Sequence, residues 1–224
     1  MSRGEAHRFD PTILREYDIR GIVEETLSTD DAYAIGRAFG TEISLNGGAT
    51  ACVGYDGRLS SPEMEQAVVD GLKDSGIDAV RVGLGPTPML YFAVNIVGAD
   101  GGIMVSGSHN PPEYNGFKMM HGTKPFYGDA IQNLGKIAAA ADYADGSGQD
   151  RQEPMLDRYV SRVGQDYTGG KELKVAWDAG NGSAGEAMVR LAKALPGEHL
   201  LLNEKIDGTF PVHHPDPTAV ENLE

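Results

Sequence analysis

Cysteine is almost missing from the 224 residues: Cys52 stands alone, so no disulfide can form within the chain, and a reducing compartment is expected. Positive charge is also scarce. Lys and Arg total 19 against 33 Asp and Glu, a formal charge of -14. So acidic a surface repels nucleic acid and anionic membranes, and neither is expected as a partner. Long apolar runs are lacking too. The longest uncharged stretch, Val82 to Ala99, is broken by Gly83, Gly85, Pro86 and Pro88, which makes it a poor membrane span. The first ten residues, MSRGEAHRFD, have no apolar core of the kind a signal peptide needs. A soluble, cytoplasmic protein is the expectation.

Hydrophobic residues at 40% and charged residues at 23% are ordinary for a globular chain. Glycine is in excess: 30 of 224 residues, about 13% against a usual share of roughly 7%. Many tight turns or close backbone approaches are implied.

Strand-like and helix-like segments alternate, the pattern of an α/β fold with a mixed, mainly parallel sheet and helices on both faces. Ser28 and Thr29 offer a cap to a helix carrying Ile35, Phe39 and Ile43 and ending at Asn46-Gly47-Gly48. Thr50 to Tyr55 reads as a strand, and Ser61 as the cap of a helix that begins at Pro62 and stops by Gly76. Ala79 to Leu84 follows as a strand, Met89 to Val97 as a helix, and Gly102 to Ser106 as a short strand. The loop Gly107 to Gly116, extended structure at Phe117 to Met120 and a helix over Asp129 to Ala141 come next. Asp142 to Arg151 lacks apolar periodicity and is expected to be a linker, with a boundary near residue 150. Beyond it lie a helix near Met155 to Val163, a strand Leu173 to Trp177, a Gly-rich turn Asp178 to Gly185 and a helix ending near Leu195. Asp207 to Pro217 is expected to be irregular.

The densest group of reactive side chains is Val105-Ser106-Gly107-Ser108-His109-Asn110-Pro111-Pro112. A serine leaving an apolar strand of an open α/β sheet sits where such folds place ligands. A turn with a capping serine is the plainer reading, and residues alone leave both open. The spacing is not that of a hydrolase elbow, because Ser106 and Asn110 stand where two glycines belong. Lys118, in Phe117-Lys118-Met119-Met120, is either a snorkelling edge residue or a cation facing a cleft. Arg15 to Gly21 packs four charges around Tyr17. Three lesser candidates favour structural roles. Asp178 to Gly185 is a strand-to-helix turn before it is a phosphate cradle. His213 and His214, flanked by prolines, suit a fixed crossover better than zinc ligation. Asp56 and Arg58 are expected to pair with each other or with backbone.

Taken together, REYDIRG (15–21), GYDGRLSSP (54–62), GSHNPPEYNGFK (107–118), VAWDAGNGSAG (175–185) and DGTFPVHHPDP (207–217) resemble the α-D-phosphohexomutases, in particular the phosphomannomutase/phosphoglucomutase branch. The matches run in order along almost the whole chain. The resemblance implies the family's first α/β domain over residues 1–150 and part of a second, similar domain over 151–224. It implies that Ser108 carries a phosphoryl group and exchanges it with a hexose monophosphate through a bound hexose 1,6-bisphosphate. The net result is movement of phosphate between C1 and C6 of mannose or glucose. His109, Lys118 and Arg20 match catalytic residues near the transferring group, and Tyr17, Arg20 and Lys118 match substrate contacts. Mg²⁺ is implied as cofactor, bound partly through the Ser108 phosphate.

The family's Asp-x-Asp-x-Asp metal loop does not occur in these 224 residues. An incomplete N-terminal part, inactive by itself, is therefore expected. Phosphoglucosamine mutase shares the serine loop and is the enzymatic alternative. A non-catalytic sugar-phosphate-binding fragment is the alternative of another kind.

Overall fold

The computed structural model describes residues 3–169, 171–216 and 218–222. Its first helix, α1 (Thr29–Leu45), starts on a reciprocal cap. The Ser28 hydroxyl accepts from the Asp31 N–H at 3.2 Å, and the Asp31 carboxylate accepts from the Ser28 N–H at 2.7 Å. Ile35, Phe39 and Ile43 then fall on one stripe and are fully buried. The second helix, α2 (Ser61–Asp74), differs from expectation at its start. Ser60 occupies the cap position without a side-chain cap bond, and the Ser61 hydroxyl instead donates to Asp56 at 2.6 Å. A carboxylate in the preceding turn is the stronger acceptor.

Strands β1 (Ile19–Ile22), β2 (Thr50–Tyr55), β3 (Asp78–Leu84), β4 (Gly101–Val105), β5 (Tyr114–His121) and β7 (Asp150–Gln152) form one sheet in the order β1-β5-β4-β2-β3-β7. The short β6 (Lys124–Phe126) folds back on β5. Neighbours from β4 through β2 and β3 to β7 are parallel, while β1 and β4 each run antiparallel to β5. Alternation sorts side chains to two faces. Ala51, Val53, Ile103, Val105, Phe117 and Met119 meet α1, α2 and α4 (Asp129–Ala140), with Phe39 edge-on to Phe126 at 5.4 Å. Cys52, Val80, Met104 and Met120 face α3 (Thr87–Val97) and the start of α5 (Leu156–Gly164). No helix among the described residues is long and apolar enough to cross a membrane.

The stretch expected to be a linker is instead fastened to the sheet. Gly146 and Gly148 donate backbone N–H groups to Asp74 and Lys73, Ala79 donates to the Gln149 carbonyl, and β7 then pairs with β3 in parallel. All three β7 residues are exposed, so its polar sequence carries no trace of the backbone pairing that fixes it. After it comes a single β-α-β unit: β8 (Leu173–Asp178), α6 (Gly185–Ala194) and β9 (Gly197–Leu202), the strands parallel. Met155, fully buried among Val80, Met89 and Met104, ties α5 to the sheet, and Tyr159 lies edge-on to Phe92 at 5.9 Å.

Met155→Ala removes that tie. The expected loss is about 2–5 kcal/mol of unfolding free energy, read as a lower midpoint in urea; an unchanged midpoint would show that α5 is not held by this contact.

Candidate active site

The serine loop leaves β4 at its C-terminal end, beside the chain reversals that follow the parallel strands β2 and β3. Backbone bonds lace the three together: Asp56 donates to the Val105 carbonyl and Gly85 to the Tyr55 carbonyl. Carboxyl ends of parallel strands are where open α/β sheets build ligand sites.

Ser108 sits at φ 55°, a left-handed backbone that a residue with a side chain rarely adopts. Its N–H donates to the Ser106 hydroxyl at 3.0 Å. The preceding Gly107 donates to Asp56 at 3.1 Å, and the Asn110 side-chain amide caps the turn on the Gly107 carbonyl at 2.7 Å. Asp56 and Arg58 do pair, at 3.3 Å, as the sequence implied. Arg58 also donates to the carbonyls of Ser108, Asn110, Pro111 and Tyr114, at 3.0, 2.6, 2.6 and 2.9 Å. Burial lowers the guanidinium's pKa, and Asp56 works against that shift. A Cβ on Gly107 would lie 2.3 Å from Arg58 Nε, so only glycine admits the guanidinium here.

Arg20 and Lys118 come together on one carboxylate. Asp18, buried, accepts from Arg20 at 2.6 Å and from Lys118 at 3.3 Å. Arg20 reaches the serine loop as well, donating to the Asn110 side-chain oxygen at 3.2 Å. Asp18 was one charge among four in the sequence; its role as the shared anion needs β1 and β5 side by side. Register makes them neighbours, Arg20 lying opposite Gly116 and Ile19 opposite Phe117. Tyr17 stands apart: it is 74% exposed, its ring 6.3 Å from that of Tyr127.

Ser108 and His109 open into a cavity of ≈ 270 Å³. Pro86 and Thr87 form part of its wall, as do Ser183 and Ala184 before α6 and Phe210 beyond β9. Neither Arg20, Lys118 nor Tyr17 lines it. The Gly-rich turn Asp178 to Gly185 is therefore both a strand-to-helix connection and one side of this cavity.

Among the described residues, no group of three or more His, Cys, Asp or Glu is placed to hold a metal ion. Asp56, a carboxylate lining the same cavity as Ser108, is already engaged by Arg58, Ser61 and the Gly107 N–H. The residues present thus do not fit a magnesium site, and a Ser108 phosphate would bring one oxygen ligand. His213 has other partners: its Nε2 lies 3.2 Å from Asp178 and its Nδ1 2.9 Å from the His214 carbonyl.

A family model described as phosphoglucomutase/phosphomannomutase, alpha/beta/alpha domain I, matches residues 11–144. The chain is 44% identical over 213 residues to the phosphomannomutase/phosphoglucomutase of Pseudomonas syringae pv. tomato, covering 95% of this chain and 46% of that protein. It is 44% identical over 218 residues to the phosphoglucomutase of Neisseria gonorrhoeae, with 95% and 46% covered. A crystal structure of a phosphoglucomutase/phosphomannomutase family protein from Burkholderia thailandensis superposes with a TM-score of 0.92 at 46% identity, over 96% of this chain and 49% of that one. The mixed sheet with its serine loop is a phosphohexomutase first domain, and the chain belongs to the phosphoglucomutase/phosphomannomutase family. It spans about half the length of the curated relatives it matches.

Two outcomes follow. Asp18→Asn weakens the anchor of both cations and is expected to lower stability by about 1–3 kcal/mol in urea unfolding; no change would mean that Arg20 and Lys118 do not depend on it. In His213 the His214 carbonyl, outweighing partial burial and aided by Asp178, raises the imidazole pKa above 6.5. Burial pushes Asp178 up, but the Gly180 N–H, Asn203 and His213 outweigh it and hold the carboxyl below 3.8. The His213 contribution to stability is full below 6.5 and fades as pH rises through its raised pKa. That of Asp178 is present above 3.8 and fades as pH falls through its lowered one. The pair therefore supports the fold best in mildly acidic solution. Proton NMR should place the His213 midpoint above 6.5, and Asp178→Asn should move it down.

Proposed function

We propose that the protein is a phosphohexomutase in which Ser108 carries the phosphoryl group that moves between C1 and C6 of a hexose phosphate, mannose or glucose. The observation that supports this most directly is the serine loop itself. Ser108 is held in a left-handed conformation at the carboxyl end of β4 and opens, with His109, into a cavity walled by both the large sheet and the β-α-β unit. Residues 1–150 and 151–224 correspond in this reading to the family's first domain and part of its second.

Phosphoryl transfer is mostly positioning and charge stabilisation. In the first step the Ser108 Oγ–phosphorus bond breaks as a sugar hydroxyl oxygen bonds to phosphorus, leaving a hexose 1,6-bisphosphate. The hydroxyl's proton passes through a base in the cavity, where His109 is the imidazole on hand, and a proton is delivered to Ser108 Oγ as it leaves. In the second step the Ser108 hydroxyl gives up its proton as Oγ bonds to the other phosphorus, and the proton goes to the sugar oxygen that leaves. Arg20 and Lys118, gathered on Asp18, with Arg20 joined to the loop through Asn110, supply positive charge beside it. Tyr17, exposed at the end of that segment, is a sugar-side contact. Magnesium, when bound, would neutralise phosphate charge, with ligands beyond Ser108 that the described residues do not supply. Hexose phosphates are the expected small-molecule partners, and the cytoplasm the expected location.

Incubating the intact protein with mannose 6-phosphate, glucose 6-phosphate and glucosamine 6-phosphate, each with catalytic bisphosphate and Mg²⁺, tests the reading. Conversion of the first two to 1-phosphates is expected, with Ser108→Ala losing nearly all of it and the added ~80 Da on the loop peptide. Preference for glucosamine 6-phosphate would point to phosphoglucosamine mutase. Sugar-phosphate binding without turnover would point to a non-catalytic binding role, which the lack of a carboxylate metal set among the described residues favours. Full activity in Ser108→Ala would remove the phosphoserine altogether.

A further inference from the structure

Arg58 uses everything a guanidinium has. Five N–H donors meet five acceptors: Asp56 and the carbonyls of Ser108, Asn110, Pro111 and Tyr114. Its side chain is completely buried, so no water substitutes for any of them. Four carbonyl oxygens pointing at one place repel one another unless a cation sits between them, and a lysine has only three donors to offer. The conformation of the serine loop is therefore conditional on this one side chain. The carbonyl of Ser108 itself is among the four, which ties the guanidinium to the residue whose φ is 55°.

The open face of that guanidinium is covered from the far side of the cavity. The Phe210 ring lies over Arg58 Cζ, 5.0 Å from the ring centroid. Phe210 has a left-handed backbone of its own, φ 49°, and its N–H donates to the Asp207 carbonyl. Asp207 in turn donates to the Asn181 carbonyl in the turn between β8 and α6. The segment is pressed onto the Asp56 to Arg58 turn: a Cβ on Gly208 would stand 2.5 Å from the Gly57 carbonyl oxygen and 2.8 Å from Arg58 Cα. A ring face attracts a cation most where water is excluded, so Phe210 holds the guanidinium in the plane its five bonds require.

We propose that Arg58 and Phe210 form a positioning pair: Phe210, carried by the segment that follows β9, fixes the Arg58 guanidinium, and Arg58 fixes the backbone of Ser108 for phosphoryl transfer. Neither is a catalytic residue; both act through the loop. The unit beyond residue 152 thereby governs the reactivity of a serine that belongs to the other sheet. This rests on the reading of Ser108 as the phosphoryl carrier.

The test uses the intact protein, with glucose 1,6-bisphosphate as donor, and two readouts. Rapid quenching and peptide mass give the rate of Ser108 phosphorylation; amide hydrogen exchange gives the protection of residues 106–114. Phe210→Leu keeps an apolar side chain but removes the ring, and should slow transfer about tenfold while exchange in the loop quickens. Phe210→Trp should restore both. Arg58→Lys should slow transfer by roughly a hundredfold or more. Should that variant fail to fold, the two Phe210 variants decide alone. Transfer and exchange both unchanged in Phe210→Leu would overturn the proposal, and so would slower transfer with unchanged exchange, because Phe210 would then only line the cavity. If the unaltered protein takes no phosphoryl group, the phosphoserine reading falls, and exchange by itself decides whether the pair sets the loop.

Discussion

Arg58 brings a full positive charge into a place without water, and a lone charge there would be costly by several kcal/mol. What makes it tolerable is the set of acceptors around it: Asp56 from its own turn and four carbonyls from residues 50 to 56 positions further along the chain. The turn after β2, the loop after β4 and the first residue of β5 are thereby drawn to one point. Glycine at position 107 is a corollary, since any side chain there would collide with the guanidinium. The left-handed Ser108, the cap of Asn110 on Gly107 and the reach of Arg20 to Asn110 all depend on the loop being laid around that charge. Replacing one donor therefore disturbs several acceptors at once, because each is left buried without a partner.

Much of the fold was legible in the sequence where burial imposes a period. Ile35, Phe39 and Ile43 announce α1 because one face of it packs on the sheet, and Thr50 to Tyr55 announces a strand that is buried on both sides. Where backbone pairing alone decides, the sequence is mute. The three residues of β7 are all exposed, and β6 is too short to show alternation. β1 hides inside a run of charges because its inward residues are only Ile19 and Gly21. The same division holds at the site. Ser108, His109 and the Asp56–Arg58 pair could be singled out from local sequence, whereas Asp18 as shared anchor and Phe210 over Arg58 could not. Their partners lie 100 and 152 residues away along the chain.

The chain's charge of -14 takes on a local meaning. Arg20, Arg58 and Lys118 gather around the serine loop, each compensated by a carboxylate, Asp18 or Asp56, that is largely buried. Arg20 and Lys118 share Asp18, while Arg58 has Asp56 at hydrogen-bond distance and the Glu113 charge nearby.

Cys52 sits on the face of β2 that packs against Val80 and Met104, fully buried, and burial pushes its thiol pKa up to about 12. Thiolates, not thiols, react with alkylating reagents. The folded protein is thus chemically silent toward them, and its one sulfhydryl becomes reactive only when the central sheet opens. Uptake of such a reagent is a clock for that opening, already installed at the middle of the parallel strands, and a cysteine introduced on the surface would be the only one a label finds.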